Sequence, residues 1–323
     1  MRSRLALTLL LVCSPLAAQI YKGAIVVDAT DGRLLYTDQP DYRGPAASVT
    51  KLMTFLIVHD AIEAGEVSLN TRVQVSGSDA RIGGSQVWLK QGETFTVGEL
   101  LHALMIKSAN DAAHALARTV AGSPDAFVER MNDRASALGL GNTRWHSPHG
   151  LPPRSRRLAE TDQSSPRDLA ALSRVLLSST DILRYSAIKK RPFGEGTRDK
   201  PVMMENTNHL VGRVEGVDGL KTGFTRAAGF CLSATATRDG KRLIAVIMGS
   251  PTSQERDIKM AELIEYGFVK LNEPPLPPPL FVQPAVSDTN PLSIVPLREA
   301  SADDSPADTS ADPPTVSFSI PAN

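Results

Sequence analysis

Ser48 and Lys51 lie three residues apart at the start of a stretch with helical spacing. Residues three apart share one face of a helix, so the lysine amine can lie beside the serine hydroxyl, in the favourable field of the helix N-terminus. A serine hydroxyl needs a base to become a nucleophile, and lysine is a base when burial or a second cation depresses its pKa. The spacing therefore suggests nucleophilic catalysis. A helix N-cap is the alternative, because Ser186 and Lys189 repeat the same spacing.

Ser108 and Asn110 form a second polar motif, in a break between two predicted helices. There a hydroxyl can relay a proton, and a carboxamide can bind an amide group of a substrate. The alternative is a pair of helix-capping residues, since Ser68 and Asn70 have the same spacing. Taken alone, this motif favours a structural role.

Lys221, Thr222 and Gly223 form a third motif, which occurs once in the chain. On an edge strand beside a cleft, Lys221 would supply a positive charge, and the hydroxyls of Thr222 and Thr225 would donate to a carboxylate. Gly223 would allow the backbone of a substrate to approach closely. A solvated strand end is the alternative, but the single occurrence makes this motif the most specific of the three.

The elements that would position these motifs follow from local signals. Asp-Gly turns predict two β-hairpins, over 24–36 and 230–249. Apolar residues at helical spacing predict helices over 52–62, 100–105, 112–120, 127–138, 167–177 and 258–271. Strands at both ends with helices between them predict an α+β fold, in which an antiparallel sheet is built from both chain ends around an inserted helical subdomain.

The N-terminus has the pattern of a secretory signal. Arg2 and Arg4 precede the apolar run 5–12, and small residues follow it. This pattern predicts a signal peptide over 1–18 and export to the periplasm or cell envelope. A lipoprotein anchor at Cys13 is the alternative.

The C-terminus has a different composition from the rest of the chain. Residues 274–323 hold 12 of the 23 prolines, one basic and six acidic residues, and no glycine. Such a composition predicts a disordered, acidic tail. A single folded domain is therefore expected over 19–273.

Composition disfavours several classes of function. The 323 residues include 35 basic and 35 acidic side chains, and a net charge of zero gives no argument for nucleic acid or an anionic membrane surface as partner. The sequence has no paired Cys/His spacing for a metal and no Gly-rich phosphate loop. Cys231 would be the single thiol left after signal removal, so no intramolecular disulfide is expected.

The three motifs occur in the order found in penicillin-binding proteins and serine β-lactamases. Their flanking residues resemble the low-molecular-weight D-alanyl-D-alanine carboxypeptidases over roughly residues 22–270. The resembling segments are PAASVTKLMT at 45–54, SANDA at 108–112, LGLGNT at 138–143, PHGL at 148–151, NTNHL at 206–210 and DGLKTGFT at 218–225.

The resemblance implies the fold shared by β-lactamases and penicillin-binding transpeptidases. It also implies a serine carboxypeptidase that removes the terminal D-alanine from peptidoglycan stem pentapeptides and is acylated by β-lactam antibiotics, with no metal or cofactor. Ser48 would form the acyl-enzyme, Lys51 would be the general base, and Ser108 would relay a proton to the leaving amine.

The other motif residues would bind the substrate. The resemblance implies substrate-binding roles for Asn110, Lys221, Thr222, Gly223, Phe224 and Thr225. Asn110 would hold the acyl-side amide, while Lys221, Thr222 and Thr225 would surround the terminal carboxylate. Backbone N–H groups of Ser48 and Phe224 would form the oxyanion hole. The sequence leaves open whether Arg256 also binds the carboxylate.

Two departures from the family pattern matter. Residues 274–323 have too few apolar side chains and too many prolines for the second β-rich domain or membrane-binding helix of many members, so a soluble enzyme without a stable membrane anchor is expected. Phe224 stands where histidine is common. Phe224 with Thr225, and segment 206–210, resemble the related D,D-endopeptidases, which cut crosslinks, whereas segment 108–111 resembles the carboxypeptidases. An endopeptidase is therefore the nearest alternative.

Two further alternatives have less support. A β-lactamase is disfavoured because no clear Glu-containing loop segment would position a deacylating water. A non-catalytic cell-wall binding protein on the same fold is disfavoured because all five polar motif residues are intact.

Overall fold

The computed structural model describes residues 20–155 and 157–273 of the chain. The predicted signal peptide (1–18) and tail (274–323) lie outside the described residues. The α-helices are α1 (Lys51–Glu63), α2 (Gly77–Ala80), α3 (Val97–His102), α4 (Asn110–Ala121), α5 (Pro124–Ala137), α6 (Pro166–Ser179), α7 (Leu183–Ser186) and α8 (Ser253–Asn272). None of these helices is long and apolar enough to span a membrane.

The strands form one larger sheet and three short ribbons. They are β1 (Gly23–Asp28), β2 (Leu34–Asp38), β3 (Gly44–Pro45), β4 (Arg72–Gln74), β5 (Thr94–Thr96), β6 (Gln163–Ser164), β7 (Lys190–Phe193), β8 (Val202–Glu205), β9 (Val217–Thr225), β10 (Gly229–Arg238) and β11 (Lys241–Ser250). The larger sheet has the order β2-β1-β11-β10-β9, and all its pairs are antiparallel. Because β1 pairs with β11, the sheet is built from both chain ends, which confirms the predicted fold class.

Both predicted hairpins are present. The turn between β10 and β11 has positive φ at Asp239 (+49°) and Gly240 (+74°), which is the type I′ geometry that Asp-Gly favours. Gly32 (φ +80°) closes the turn between β1 and β2, where its N–H donates to the carbonyl oxygen of Asp28. The turn residues therefore set the strand pairing locally.

Alternating residues of the central strands bury both faces of the sheet. In β1, Ala24 and Val26 pack with α8, whereas Ile25 and Val27 pack with the helical region. This period of two is the spacing of side chains along a strand. The sheet is thus a middle layer, with α8 on one face and the inserted helices on the other.

Helix α1 lies inside the helical region and is buried on all sides from Lys51 to Val58. A helix that is apolar around its circumference belongs in a core. The predicted break near 107–110 is also present: α3 continues into a π-helical turn over Ala103–Lys107, and α4 begins at Asn110. Buried α1 and this break carry the first two motifs.

Candidate active site

Ser48 lies in a 3-10 turn, Ala47–Thr50, that leads directly into α1. This arrangement brings Nζ of Lys51 to 3.0 Å from Oγ of Ser48. Gly150 packs against the turn, and a Cβ at that position would lie 2.0 Å from the carbonyl oxygen of Ala47. Because Gly150 also has a φ of +84°, only glycine fits there without moving the serine.

The amine of Lys51 is fully buried and has two partners besides Ser48. It donates to Oδ1 of Asn110 at 2.7 Å and to the carbonyl oxygen of His149 at 2.6 Å. Both partners are oxygens that can only accept. A neutral lysine would therefore use its two N–H groups on them and direct its lone pair at the hydroxyl of Ser48.

The surroundings of Lys51 favour that neutral form. Burial, followed by the nearby cation of Lys221, lowers the pKa of Lys51 well below its usual value. The buried carboxylates of Asp111 and Asp162 oppose this shift without reversing it. An amine with a lowered pKa can take a proton from a hydroxyl near neutral pH.

Ser108 and Asn110 are held where the π-helical turn ends. Ser108 has left-handed backbone angles (φ +60°, ψ +35°) and lines the same cavity as Ser48. Nδ2 of Asn110 donates to the carbonyl oxygen of Gly83 at 2.8 Å. A strained non-glycine residue is typical of functional sites, where the surrounding fold holds it in place.

The loop before β5 supports this break from outside the helices. The backbone N–H of Asn110 donates to the carbonyl oxygen of Ser85 at 2.8 Å. The carboxylate of Asp111 accepts from the backbone N–H groups of Val87 at 3.3 Å and Leu89 at 3.0 Å. The start of α4 and the loop therefore hold each other in position.

Lys221 is a second buried amine, and its Nζ donates to the carbonyl oxygen of Thr222 at 3.0 Å. Burial, and then the cation of Arg256, lowers the pKa of Lys221 to about 7. Arg256 is itself buried near the start of α8, where Nε and Nη2 donate to the carboxylate of Asp257 at 2.9 and 2.6 Å. Two cations at this end of the site suit an anionic ligand.

Edge strand β9 brings its backbone against the Ser48 turn. A Cβ on Gly223 would lie 2.8 Å from the carbonyl oxygen of Ala46 and 3.1 Å from the backbone nitrogen of Ser48. The backbone nitrogens of Ser48 and Phe224 thus lie on adjacent segments, as two donors of an oxyanion hole would. The Phe224 ring is exposed and stacks on Phe230, with ring centroids 4.1 Å apart.

A cavity of about 380 Å³ joins these elements. Ser48, Ser108, Thr222, Gly223 and Phe224 line it, so the structure brings the three motifs together. Residues without an assigned role in the motifs also line it: Ser85, Thr207, His209, Phe230, Ser253 and Arg256. These side chains come from separate elements, and no shared sequence motif predicts that they line one cavity. Thr207 and His209 do belong to the NTNHL segment.

Thr222 and Thr225 occupy different surroundings. Oγ1 of Thr222 donates to Oγ1 of Thr207 at 2.7 Å, inside the cavity. Oγ1 of Thr225 instead accepts from the backbone N–H of Ala228 at 3.0 Å and borders a neighbouring cavity. The expected contact between Thr225 and a terminal carboxylate stays a prediction.

Comparison with known proteins identifies the family of the chain. The family model described as D-alanyl-D-alanine carboxypeptidase matches residues 14–252. The chain is 36% identical over 255 residues to the D-alanyl-D-alanine carboxypeptidase DacF of Bacillus subtilis, covering 79% of this chain and 64% of DacF. It is 34% identical over 231 residues to the D-alanyl-D-alanine endopeptidase of Haemophilus influenzae, covering 70% of this chain and 73% of that protein.

A solved structure covers the same region. Penicillin-binding protein D2 from Listeria monocytogenes, in its ampicillin-bound form, aligns with a TM-score of 0.69 and 32% identity. The alignment covers 79% of this chain and 100% of that chain. The chain spans only 60 to 64% of the length of the first curated carboxypeptidases that it matches.

Proposed function

The chain belongs to the D-alanyl-D-alanine carboxypeptidase family, and we propose that it is a serine carboxypeptidase that removes the terminal D-alanine from peptidoglycan stem pentapeptides. The observation that carries this proposal is the buried amine of Lys51, 3.0 Å from Oγ of Ser48, whose other two contacts are carbonyl oxygens. That arrangement suits removal of the hydroxyl proton during acyl transfer.

In the acylation step, Oγ of Ser48 attacks the carbonyl carbon between the two terminal D-alanines, and Lys51 takes the hydroxyl proton. Backbone N–H groups of Ser48 and Phe224 stabilise the oxyanion, each contributing about 10²- to 10³-fold in rate. The C–N bond then breaks, and the proton passes through Ser108 to the leaving amine. D-Alanine departs, and the rest of the peptide is held as an ester on Ser48.

Cations orient the substrate for this attack. Lys221, Arg256 and the hydroxyl of Thr222 bind the terminal carboxylate, whose negative charge favours the protonated form of Lys221. The second hydrogen of Asn110 Nδ2 donates to the carbonyl of the acyl-side amide. Water then hydrolyses the ester, with Lys51 again as base, and releases the shortened peptide.

β-Lactam antibiotics would acylate the same serine. Attack by Ser48 opens the four-membered ring, and the nitrogen that leaves the carbonyl stays attached to the acyl group. The leaving group of a β-lactam therefore stays in the site, whereas D-alanine diffuses away. The ampicillin-bound relative from Listeria supports this part of the proposal.

Export completes the proposal, because peptidoglycan lies outside the cytoplasmic membrane. The predicted signal peptide, 1–18, would direct the chain to the periplasm or cell envelope and leave a mature chain that starts at Gln19. N-terminal sequencing of the exported protein checks this point. Retention of residues 1–18 on the mature chain would contradict it.

Intact-mass spectrometry of the mature chain, 19–323, after benzylpenicillin tests the nucleophile. We expect one penicilloyl group on the wild-type chain and none on Ser48→Ala. Ser186→Ala, from the second Ser-x-x-Lys, is the matched control and should still be acylated. The same three proteins should also be tested for release of D-alanine from a stem pentapeptide. Wild type and Ser186→Ala should release it, and Ser48→Ala should not.

The other outcomes would contradict the proposal in different ways. A folded wild-type chain that forms no adduct and leaves the antibiotic intact would favour a non-catalytic binding protein. Hydrolysis of the antibiotic without a lasting adduct, together with no release of D-alanine, would indicate a β-lactamase.

An endopeptidase that cleaves peptidoglycan crosslinks is the second candidate. His209 and Ser253 also line the cavity, and they would border a leaving group larger than D-alanine. Phe224 adds an exposed ring to the lining of the cavity. The endopeptidase of Haemophilus influenzae, of which the chain covers 73%, supports this candidate.

Two substrates offered side by side separate the candidates. A monomeric pentapeptide has D-alanine as its leaving group, whereas a crosslinked dimer releases a second stem peptide. A higher kcat/KM for the pentapeptide supports the carboxypeptidase. A higher kcat/KM for the dimer supports the endopeptidase, with the same serine chemistry.

A further inference from the structure

A second cavity, of about 340 Å³, lies past the end of β9. One wall is the turn between β9 and β10, with Thr225, Arg226 and Ala227. The other wall comes from the segment after Gly150 and includes the apolar side chains of Pro152 and Leu158. The proposed chemistry uses none of these apolar side chains, yet the cavity borders the strand that holds the substrate.

The direction of β9 determines which part of a substrate reaches this cavity. Successive strand residues are about 3.3 Å apart, so Thr222, Phe224 and Thr225 follow one another along the edge. With the terminal carboxylate beside Thr222 and the reacting carbonyl at the N–H of Phe224, the acyl part of the peptide extends beyond Thr225. This step rests on the proposed function.

Arg226 places a positive charge at the edge of the second cavity. Arg226 is exposed, and within the described residues no carboxylate lies within ion-pair distance of it. An apolar floor with an arginine at its edge fits an aliphatic side chain that ends in a negative group.

We propose that this cavity binds the side chain of the third stem-peptide residue, and that Arg226 favours a side chain whose end carries a carboxylate over one whose end carries only an ammonium group. Pro152 and Leu158 contact the methylene groups, while the guanidinium meets the charged end. Arg226 is a specificity-determining residue here, because it lies outside the cavity that holds the reacting atoms.

Two synthetic pentapeptides test the proposal on the mature chain. They differ only at the third residue, which is lysine in one and diaminopimelate, with its additional carboxylate, in the other. We expect the wild type to favour the diaminopimelate peptide about fivefold in kcat/KM, the upper range for an exposed ion pair. Arg226→Ala should remove this preference, Arg226→Lys should retain part of it, and Arg226→Glu should reverse it.

Controls separate the subsite from the reaction itself. Arg72→Ala, on β4, also removes an exposed arginine and should leave the preference at the wild-type value. Acylation by benzylpenicillin, whose side chain carries no charge, should be equally fast in every variant. Unequal acylation would overturn the specificity role, because Arg226 would then act on the reaction itself.

The remaining outcomes are distinct. Turnover of both peptides with the same ratio in wild type and Arg226→Ala would overturn this subsite and leave the proposed function intact. Absence of both turnover and acylation in the wild type would overturn the proposed function, and the subsite with it.

Discussion

The two sides of the Ser48 cavity are built differently. On the inner side, behind Ser48, the side chains of Lys51 and Lys221 are 0% and 1% exposed. The Lys51 amine donates to Asn110 Oδ1, and the Lys221 amine donates to the carbonyl oxygen of Thr222. On the outer side, Phe224 is 53% exposed. Beyond it, at the second cavity, Arg226 is exposed and has no carboxylate partner in the described part of the chain. The groups proposed to move or hold charge thus lie where burial shifts their pKa, whereas the groups proposed to meet the variable part of a substrate lie in solvent.

This difference predicts a ranking of effects. A buried group that loses a partner leaves other polar atoms unsatisfied, and no water can replace the contact. An exposed group loses one contact, which solvent partly restores. Substitutions should therefore lower the reaction rate most among the buried groups behind Ser48 and least among the exposed groups on the outer side.

Lys51→Ala should have the largest effect. Removal of the proposed general base should slow acylation by benzylpenicillin by roughly 10³-fold, within the usual range for general base catalysis. Stopped-flow mixing followed by intact-mass analysis measures the rate. Lys189→Ala is the matched control from the second Ser-x-x-Lys, and its exposed amine should be dispensable. A rate for Lys51→Ala within tenfold of wild type would mean that another group takes the proton.

Gly150→Ala should come next, although it removes no functional group. The new Cβ would need to displace the carbonyl oxygen of Ala47 and, with it, the Ser48 turn. A misplacement of about 1 Å costs roughly 10²-fold in rate.

Gly139→Ala is the matched control for that substitution. Gly139 has a similar φ of +69°, but a Cβ there meets no atom within 4 Å. It should lose about 1 kcal/mol of unfolding free energy through backbone strain and retain the wild-type acylation rate. Equal acylation rates for the two alanine variants would show that contact with the Ser48 turn is unimportant. Thermal melts alongside the acylation assay separate unfolding from misplacement.

The pH dependence of kcat/KM should reveal both buried amines. As pH falls through the lowered pKa of Lys51, the amine binds a proton and can no longer act as base, so the rate drops. As pH rises above about 7, Lys221 loses its proton and the charge that holds the carboxylate, so the rate drops again. A bell-shaped profile is expected, with about a tenfold fall per pH unit on each limb.

A substrate whose terminal carboxylate is replaced by a neutral amide tests the assignment of the alkaline limb. With no carboxylate to bind, the fall above pH 7 should largely disappear, and the acid limb should stay. An alkaline limb of the same size on the amide substrate would rule out carboxylate binding as its cause.

The contrast between the two sides also explains what the sequence can predict. The hairpins, the break before α4 and the 3.0 Å approach of Ser48 and Lys51 depend on residues close together in the chain, so local spacing predicts them. The contact of Lys51 with the carbonyl oxygen of His149 joins residues 98 apart, and a carbonyl has no side-chain signal.

The second cavity shows the same limit. Its lining residues are Pro152, Leu158 and Thr161 on one side and 225–227 on the other, and only Thr225 belongs to a segment that the sequence singles out. Thr225 shares a strand with the Lys-Thr-Gly motif, yet its hydroxyl oxygen accepts the N–H of Ala228 beside the second cavity, whereas Thr222 lines the Ser48 cavity. Tertiary packing decides which side of a strand end faces a ligand, and spacing along the chain does not report it.

Phe224→Ala should have the smallest effect and act on substrate choice. The substitution removes the ring that stacks on Phe230, a contact worth about 0.5–1.5 kcal/mol, and it removes no charge from the site. If the ring packs only against a large leaving group, kcat/KM for a crosslinked dimer should fall about fivefold, while values for a monomeric pentapeptide and benzylpenicillin stay near wild type.

Met203→Ala, which truncates a comparably exposed apolar side chain on β8 outside the cavity, should change none of these rates. Equal losses on dimer, pentapeptide and penicillin in Phe224→Ala would mean that the ring supports the backbone N–H at the reacting carbonyl. Phe224, although exposed, would then act on the reaction itself, as the buried groups are proposed to do. The difference between the inner and outer sides would not hold at this residue.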